Sequence, residues 1–390
     1  MSQGIYELFQ PVDQPVFSNA EGTSRIADRI DIHRFDYQPD IEGCRIAIFG
    51  VNDGRNSGDN EGCSAAPDAI RSWLYRLTPP TRWAPVVDLG DIRAGFEDSD
   101  TENALITVVS ELVQMGVIPI VLGGGQDLTY AMYAALESVG RPINVVTVDS
   151  RLDFGGDPEV HTSRNFMNRL VLHEPNYLFD YTNVGHQGYL TDPDTLELLE
   201  RLEFEAIRLG TVHSNAQLLE PTFRNSDLIS IDLSSIRAAD HPASTHAGPN
   251  GLTSSQICQL ARYAGLSDRM IALGVFEHNP DLDDRGRGAH LAAQVIWHML
   301  DGIFCQTGDY PKCSAEEYTR YVVDLPGNDH EVAFFKSARS DRWWMDVPIP
   351  TSKKNNKDHH HLVPCAYEDY QEAAEGQLPD RWWRTYQKLA

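Results

Sequence analysis

Three segments rich in acids and amides each close an apolar run: Gly123-Gly124-Gly125-Gln126-Asp127, Asp149-Ser150-Arg151-Leu152-Asp153 and Ser230-Ile231-Asp232-Leu233-Ser234. The runs before them, Ile118–Leu122, Ile143–Val148 and 228–233, are short, apolar and rich in β-branched residues, the pattern of strands buried in a parallel sheet. In such a sheet the loops leaving the carboxyl ends of the strands form the binding crevice. Gln126, Asp149, Arg151, Asp153, Asp232 and Ser234 are therefore expected to face one cleft. Carboxylates gathered out of water repel one another and need a cation, a proton or a paired arginine, and a metal is the usual answer. Gly123 to Gly125 could cradle phosphate, but neither G-x-G-x-x-G nor a following Lys-Ser/Thr accompanies them, so they read as a sharp turn beneath the pocket.

The elements that would position these residues alternate regularly. Leu105, Val108, Val109 and Leu112 fall on one face of a helix that Thr101 is expected to cap and Gly116 to end. A second helix reads over 127–139, with Gly140 as its stop.

The four motifs GGGQD (123–127), DSRLD (149–153), SIDLS (230–234) and EHNP (277–280) resemble, in order and spacing, those of the ureohydrolase superfamily. In that group of arginases, agmatinases and formimidoylglutamases they run GG-x-HD, D-x-H-x-D, S-x-D-x-D and E-x-NP. The resemblance spans roughly residues 41–305, and Gly50-Val51-Asn52-Asp53-Gly54-Arg55 followed by Ala66-Pro67-Asp68-Ala69-Ile70-Arg71 favours the formimidoylglutamase branch. The DRWWM and DRWWR blocks near the carboxyl terminus resemble those of arginase-family proteins from Bacteroidota.

The resemblance implies a three-layer α/β/α arginase-like fold with a mainly parallel sheet and a C-terminal extension. It also implies two Mn2+ ions held by two His and four Asp, with a bridging hydroxide that attacks a guanidine or amidine carbon. Carried over residue by residue, it keeps Asp149, Asp153 and Asp232, places Gln126 and Arg151 on the two His positions and puts Ser234 on an Asp position. Gln is a weak neutral ligand, Ser a weaker one, and a guanidinium has no lone pair to give. Arg151 is expected to exclude the second metal and to bridge Asp149 and Asp232 as an internal counter-ion. The expected cofactor content is therefore none, or at most one weakly bound Mn2+ or other divalent ion.

Glu277 matches the family's substrate-orienting carboxylate, and Glu277 and His161 are the candidate catalytic groups. Arg164 and Asn165, with Glu277, are the candidate substrate-pocket residues, replacing small residues of the family's substrate loop at 161–166. The leading functional expectation is a catalytically inactive family member acting as a structural or protein-interaction component. The alternatives are a single-metal amidine or guanidine hydrolase and a sensor of a guanidino or amidino ligand.

The chain's 390 residues, 41% hydrophobic, suffice for one large core, read as an arm at 1–40, an arginase-like core at 41–305 and an extension at 306–390. With 57 acids against 32 bases and a formal charge of −25, it lacks the basic face that nucleic acid requires. No run reaches the ~18 apolar residues of a spanning helix. No secretory signal opens the chain and its six scattered cysteines form no C-x-x-C pair, which reads as reduced thiols in the cytoplasm. Trp343, Trp344, Trp382 and Trp383, each pair preceded by Asp-Arg, are candidate contacts for another protein, and homo-oligomers are common in the family. His359, His360 and His361 resemble a metal tract but lack spaced partners, and 351–358 reads as an exposed loop.

Overall fold

A computed structural model describes residues 4–13, 24–157, 159–311, 317–325, 331–349 and 360–390. The main sheet has ten strands: β1 Phe9–Gln10, β2 Ile30–Ile32, β3 Ile46–Asn52, β4 Val86–Arg93, β5 Ile118–Leu122, β6 Ile143–Val148, β7 Leu178–His186, β8 Glu205–Arg208, β9 Leu228–Asp232 and β10 Ala272–Phe276. Their order is β1-β4-β3-β5-β10-β9-β6-β7-β8, with β2 alongside β4. All pairings are parallel except β1 with β4. Helices cover both faces, so the strands are buried on both sides and carry the near-continuous apolar runs seen in the sequence. Along β3, Ile46 and Ile48 enter one apolar layer while Ala47 and Phe49 enter the other. The first layer packs under the helices Ala66–Leu74, Ser254–Gly265 and Arg287–Phe304, and the second under Asp98–Gln114, Leu128–Ala135 and Phe166–Leu172.

The helix expected to begin at Thr101 begins at Asp98, where Glu97 and Asp100 exchange capping bonds. Thr101 sits a turn further in, and its hydroxyl donates to Asp53 Oδ2 at 2.7 Å. The second helix covers Leu128–Ala135 and tightens into a 3-10 turn before Gly140, whose φ of +66° closes it. Residues of the amino-terminal 40 do not lie wholly outside the core: β1 and β2 extend the main sheet.

A second, antiparallel sheet carries the C-terminal extension: β11 Tyr318–Asp324, β12 Glu331–Ser337, β13 Trp343–Pro348 and β14 His360–Cys365 in sequential order. The helix Asp380–Leu389 packs on it, and Trp382 donates Nε1–H to Asp346 O at 2.8 Å. Trp343, Trp344 and Trp382 are buried at 8%, 1% and 5% exposure, so these three are packing residues; only Trp383, at 46%, faces solvent. The Asp-Arg-Trp-Trp blocks are docking devices. Arg342 pairs with Glu220 at 3.3 Å and Arg381 donates to Thr222 Oγ1 at 3.2 Å, both on the short helix Glu220–Arg224. From that helix Arg224 reaches back to the carbonyls of Trp343 and Cys365 at 3.0 and 3.1 Å and lies over the Trp344 ring.

His361 lies in β14 beside the ring of Phe179, while His359, the side chain of His360 and the 351–358 loop are outside the described residues. Cys44, Cys63, Cys258, Cys305 and Cys365 are free thiols. Among the described residues no helix is long and apolar enough to cross a membrane.

Candidate functional site

The strand order brings the sequence motifs together. β3, β5, β10, β9 and β6 are consecutive neighbours, and their carboxyl ends carry Asp53, Gln126, Glu277, Asp232 and Asp149 in that order. Gly123 and Gly124 turn the chain after β5 with φ of +69° and +79°; a Cβ on Gly124 would meet the carbonyl of Asp53 at 2.5 Å. Two acids of the site adopt the same left-handed backbone without being glycine, Asp153 at φ +51° and Glu277 at φ +65°. Such residues are uncommon and concentrate at functional sites.

Glu277 is 1% exposed and its carboxylate accepts three bonds: from Ser57 Oγ and the Gln126 N–H on Oε1, both at 2.9 Å, and from Asn60 Nδ2 on Oε2 at 2.8 Å. Asp149 accepts the Arg151 N–H at 2.9 Å through Oδ1, while its Oδ2 is buried and meets no donor among the described residues, the carboxyl's one further neighbour being that of Asp153, with which it can share a proton. Asp232 accepts the Ser234 N–H at 2.6 Å and the Ser234 hydroxyl at 2.7 Å. Gln126 donates Nε2–H to Ser230 Oγ at 3.3 Å, and Ser230 is bonded in turn to Thr129; this anchors the amide, and no donor among the described residues meets its Oε1.

The electrostatics are those of an unneutralised acid cluster. Burial, then the neighbouring Asp153, holds the Asp149 carboxyl well above the ordinary carboxylate range. Burial, then Asp149 and Glu277, does the same to Asp232. Burial raises Asp153 to about 7, opposed by its hydrogen bond with Asp149. Asp127 is likewise raised to about 7 by burial, although Asn56 Nδ2 and Ser163 Oγ donate to it at 2.9 and 3.2 Å.

Arg151 does not bridge Asp149 and Asp232. Its guanidinium has no ion-pair or hydrogen-bond partner among the described residues and acts on Asp149 and Asp153 only through its field. The reason is local: the Asp149 carboxylate folds back on the Arg151 N–H two residues on, and the Arg151 carbonyl is held by Asn183 Nδ2 at 2.6 Å. Asn165 braces its own loop, donating to Val160 O at 2.7 Å and accepting the Thr162 N–H at 2.9 Å. His161 is exposed and touches none of the acids, and Arg164, also exposed, meets His246 Nδ1 at 2.8 Å. Sequence reasoning missed the polar ring of Asn56, Ser57, Asn60, Asp127 and Ser163. The Asn/Ser/Asp-rich stretch 52–60 beside the GVNDGR motif was the available signal.

The donor set, all hard oxygen, suits one divalent cation: Asp149 Oδ2, Asp153, Asp232 and Gln126 Oε1. It does not suit two. Position 151 has no lone pair, and the Ser234 hydroxyl is spent on Asp232. Among the described residues no three such side chains converge on one point, because Asp149 and Asp232 are turned onto Arg151 N and Ser234, so loading requires those carboxylates to rotate.

The arginase family model matches residues 44–301. Formimidoylglutamase of Photorhabdus laumondii is 26% identical over 258 residues, 63% of this chain and 80% of that protein. The enzyme of the same name from Geobacillus thermodenitrificans is 26% identical over 263 residues, 63% and 79% of the two chains. Among solved structures, Trypanosoma cruzi formiminoglutamase with Mn2+ superposes with a TM-score of 0.64 at 21% identity, covering 70% of this chain and 97% of that one. Bacillus subtilis formimidoylglutamase gives a TM-score of 0.66 at 17% identity, covering 78% and 99%.

Proposed function

The chain belongs to the arginase family, and from that premise we propose that it is a formimidoylglutamase-like hydrolase of amidine or guanidine C–N bonds that works with a single divalent cation. The observation that carries this is the buried Asp149 Oδ2, which meets no donor among the described residues, within a group of carboxylates held above their ordinary range with no described cation bonded to them. An inactive scaffold would satisfy its fold with neutral residues at these positions. The named activities of the similar enzymes weigh in the same direction.

Asp149, Asp153, Asp232 and Gln126 would hold the ion, which when bound polarises the reacting carbon and lowers the pKa of a water. Glu277 supplies the recognition. Its two oxygens offer about four lone-pair sites and three are taken, so one remains for an amidinium N–H. Ser57, Asn60 and the Gln126 N–H fix that carboxylate in place and keep it from folding onto the cation. Asp127, raised to about 7, is the carboxyl suited to exchange a proton at neutral pH through Oδ1 or Oδ2.

Metal analysis after incubation with Mn2+ and gel filtration should give close to one equivalent per chain, with release of formamide or ammonia from formimidoyl substrates, or of urea or ammonia from guanidino substrates, that Asp149→Asn abolishes. Folded protein that hydrolyses none of these substrates with Mn2+, Co2+ or Zn2+ would leave the inactive scaffold as the correct reading.

A further inference from the structure

We propose that the cleft between the amino ends of the main-sheet strands and the C-terminal segment binds a small organic anion, an oxyanion head on a compact apolar body. The cavity measures about 790 Å3, within the usual range for small-molecule sites. It lies at the opposite ends of the strands from the acid cluster. Arg45, Arg141 and Arg269 enter it from the loops preceding β3, β6 and β10, and Tyr310, His361 and Leu389 from the C-terminal segment close it.

In a chain of net charge −25, three guanidinium groups line this cavity against one lining carboxylate among the described residues, Asp268, with Asp227 buried behind Arg141 and Arg269, so three positive charges meet two negative ones. Asp227, fully buried, takes Arg141 at 2.7 Å, Arg269 at 2.9 Å and the Asn144 N–H at 2.8 Å. Asp268 accepts the backbone N–H groups of Gly308 and Asp309 at 3.1 and 3.2 Å. That leaves positive charge uncompensated. Among the described residues Arg45 has no acidic partner and its guanidinium donates to Gln306 Oε1 at 2.6 Å, while the buried Nε–H of Arg269 meets no acceptor. Buried donors are normally satisfied, so an unmet guanidinium N–H in the wall of a cavity marks the place of an absent acceptor.

The rest of the wall sets the ligand's body. Phe179, Ile271, Pro142 and Leu389 are apolar. Burial and the charge of Arg269 push His361 down to about 4, so it presents a neutral ring at physiological pH. Arginine forks recognise carboxylate and phosphate in the same bidentate geometry, so the head is one of these two. Because both parts of the chain contribute walls, the bound anion ties the C-terminal sheet to the core.

The test is calorimetric titration of the full chain, in chloride buffer, with benzoate and with phenyl phosphate. The expected result is one site per chain with Kd at or below ~1 mM for at least one probe, the preferred probe identifying the head group. Arg45 is exposed and its guanidinium bonds Gln306 alone among the described residues, so Arg45→Met and Arg45→Glu should fold. They are expected to weaken binding at least ~10-fold and to abolish it, respectively, while Asp149→Asn leaves it unchanged. Binding of both probes weaker than ~1 mM, or binding indifferent to Arg45→Glu, overturns the proposal.

Discussion

Replacing Asp153 by Asn should stabilise the metal-free protein at alkaline pH. Asp153 is 7% exposed and burial raises its carboxyl from 3.8 to about 7. Between those two values the folded state holds a proton that the unfolded state has released, so its contribution to stability falls as pH rises from ~4 to ~7 and is fully unfavourable above. About three units at 1.36 kcal/mol each amount to roughly 4 kcal/mol at pH 8, an upper figure because relaxation and water entry soften the repulsion. Asn removes the ionisation at little conformational cost, since the φ of +51° at this position is one that Asn tolerates better than most residues. Urea unfolding in EDTA should therefore show Asp153→Asn more stable than wild type by ~2 to 4 kcal/mol at pH 8 and equal within ~0.5 kcal/mol at pH 4. Mn2+ at 100 times its Kd should narrow the gap by up to ~2.7 kcal/mol, because it stabilises the wild type by that much and the variant by much less. A variant equal to or weaker than wild type at pH 8 in EDTA would refute the claim that Asp153 is an unneutralised buried acid.

The same cluster makes cation affinity pH-dependent. Protons compete for Asp153 below about 7, so the apparent Mn2+ affinity should fall up to ~10-fold per pH unit from pH 7 to pH 6, measured by calorimetry. Arg151→His with Ser234→Asp should raise the Mn2+ stoichiometry from one toward two by elemental analysis, because the first supplies a lone pair where the guanidinium has none and the second a carboxylate in place of a weak hydroxyl ligand. Glu277→Gln turns an amide donor toward one of the three donors that Glu277 now accepts, and should lower substrate affinity and cost ~1 to 3 kcal/mol of stability in urea melts. Trp344→Ala should cost ~3 to 5 kcal/mol while Trp383→Ala stays within ~0.5 kcal/mol, since only the latter ring reaches solvent.

The fold and the positions of the acids were legible because strands buried on both faces need unbroken apolar runs, and each run here ends on a chemistry-bearing motif. β1 and β2 were not legible: two- and three-residue strands have no period to detect. Thr101 looked like a helix cap because its side chain suits one, yet the bond it makes, to Asp53, spans 48 residues. The direction of the Arg151 side chain escaped for a related reason. Its charge and neighbours suggest a bridge, but an Asp149 turn onto the Arg151 backbone decides where the guanidinium lies, and residue type carries no trace of that. Trp343, Trp344 and Trp382 read equally well as packing or as contact surface until β13 and the final helix place them under Arg224 and against Asp346.

The carboxylates of the proposed site are treated differently by the chain, and the difference supports the single-cation reading we propose. At Asp232, Ser234 offers both its N–H and its hydroxyl to the carboxylate. At Asp149 nothing equivalent has happened: Arg151 stands two residues away with a cation that would neutralise the cluster, and yet only its backbone N–H is used. An ion pair between Asp149 and that guanidinium would bring the raised carboxyls back toward their ordinary range, and none is made. The structure leaves the oxygen buried and open instead, which destabilises the fold unless a cation is supplied from outside. Such local instability is expected where a site must bind rather than merely persist.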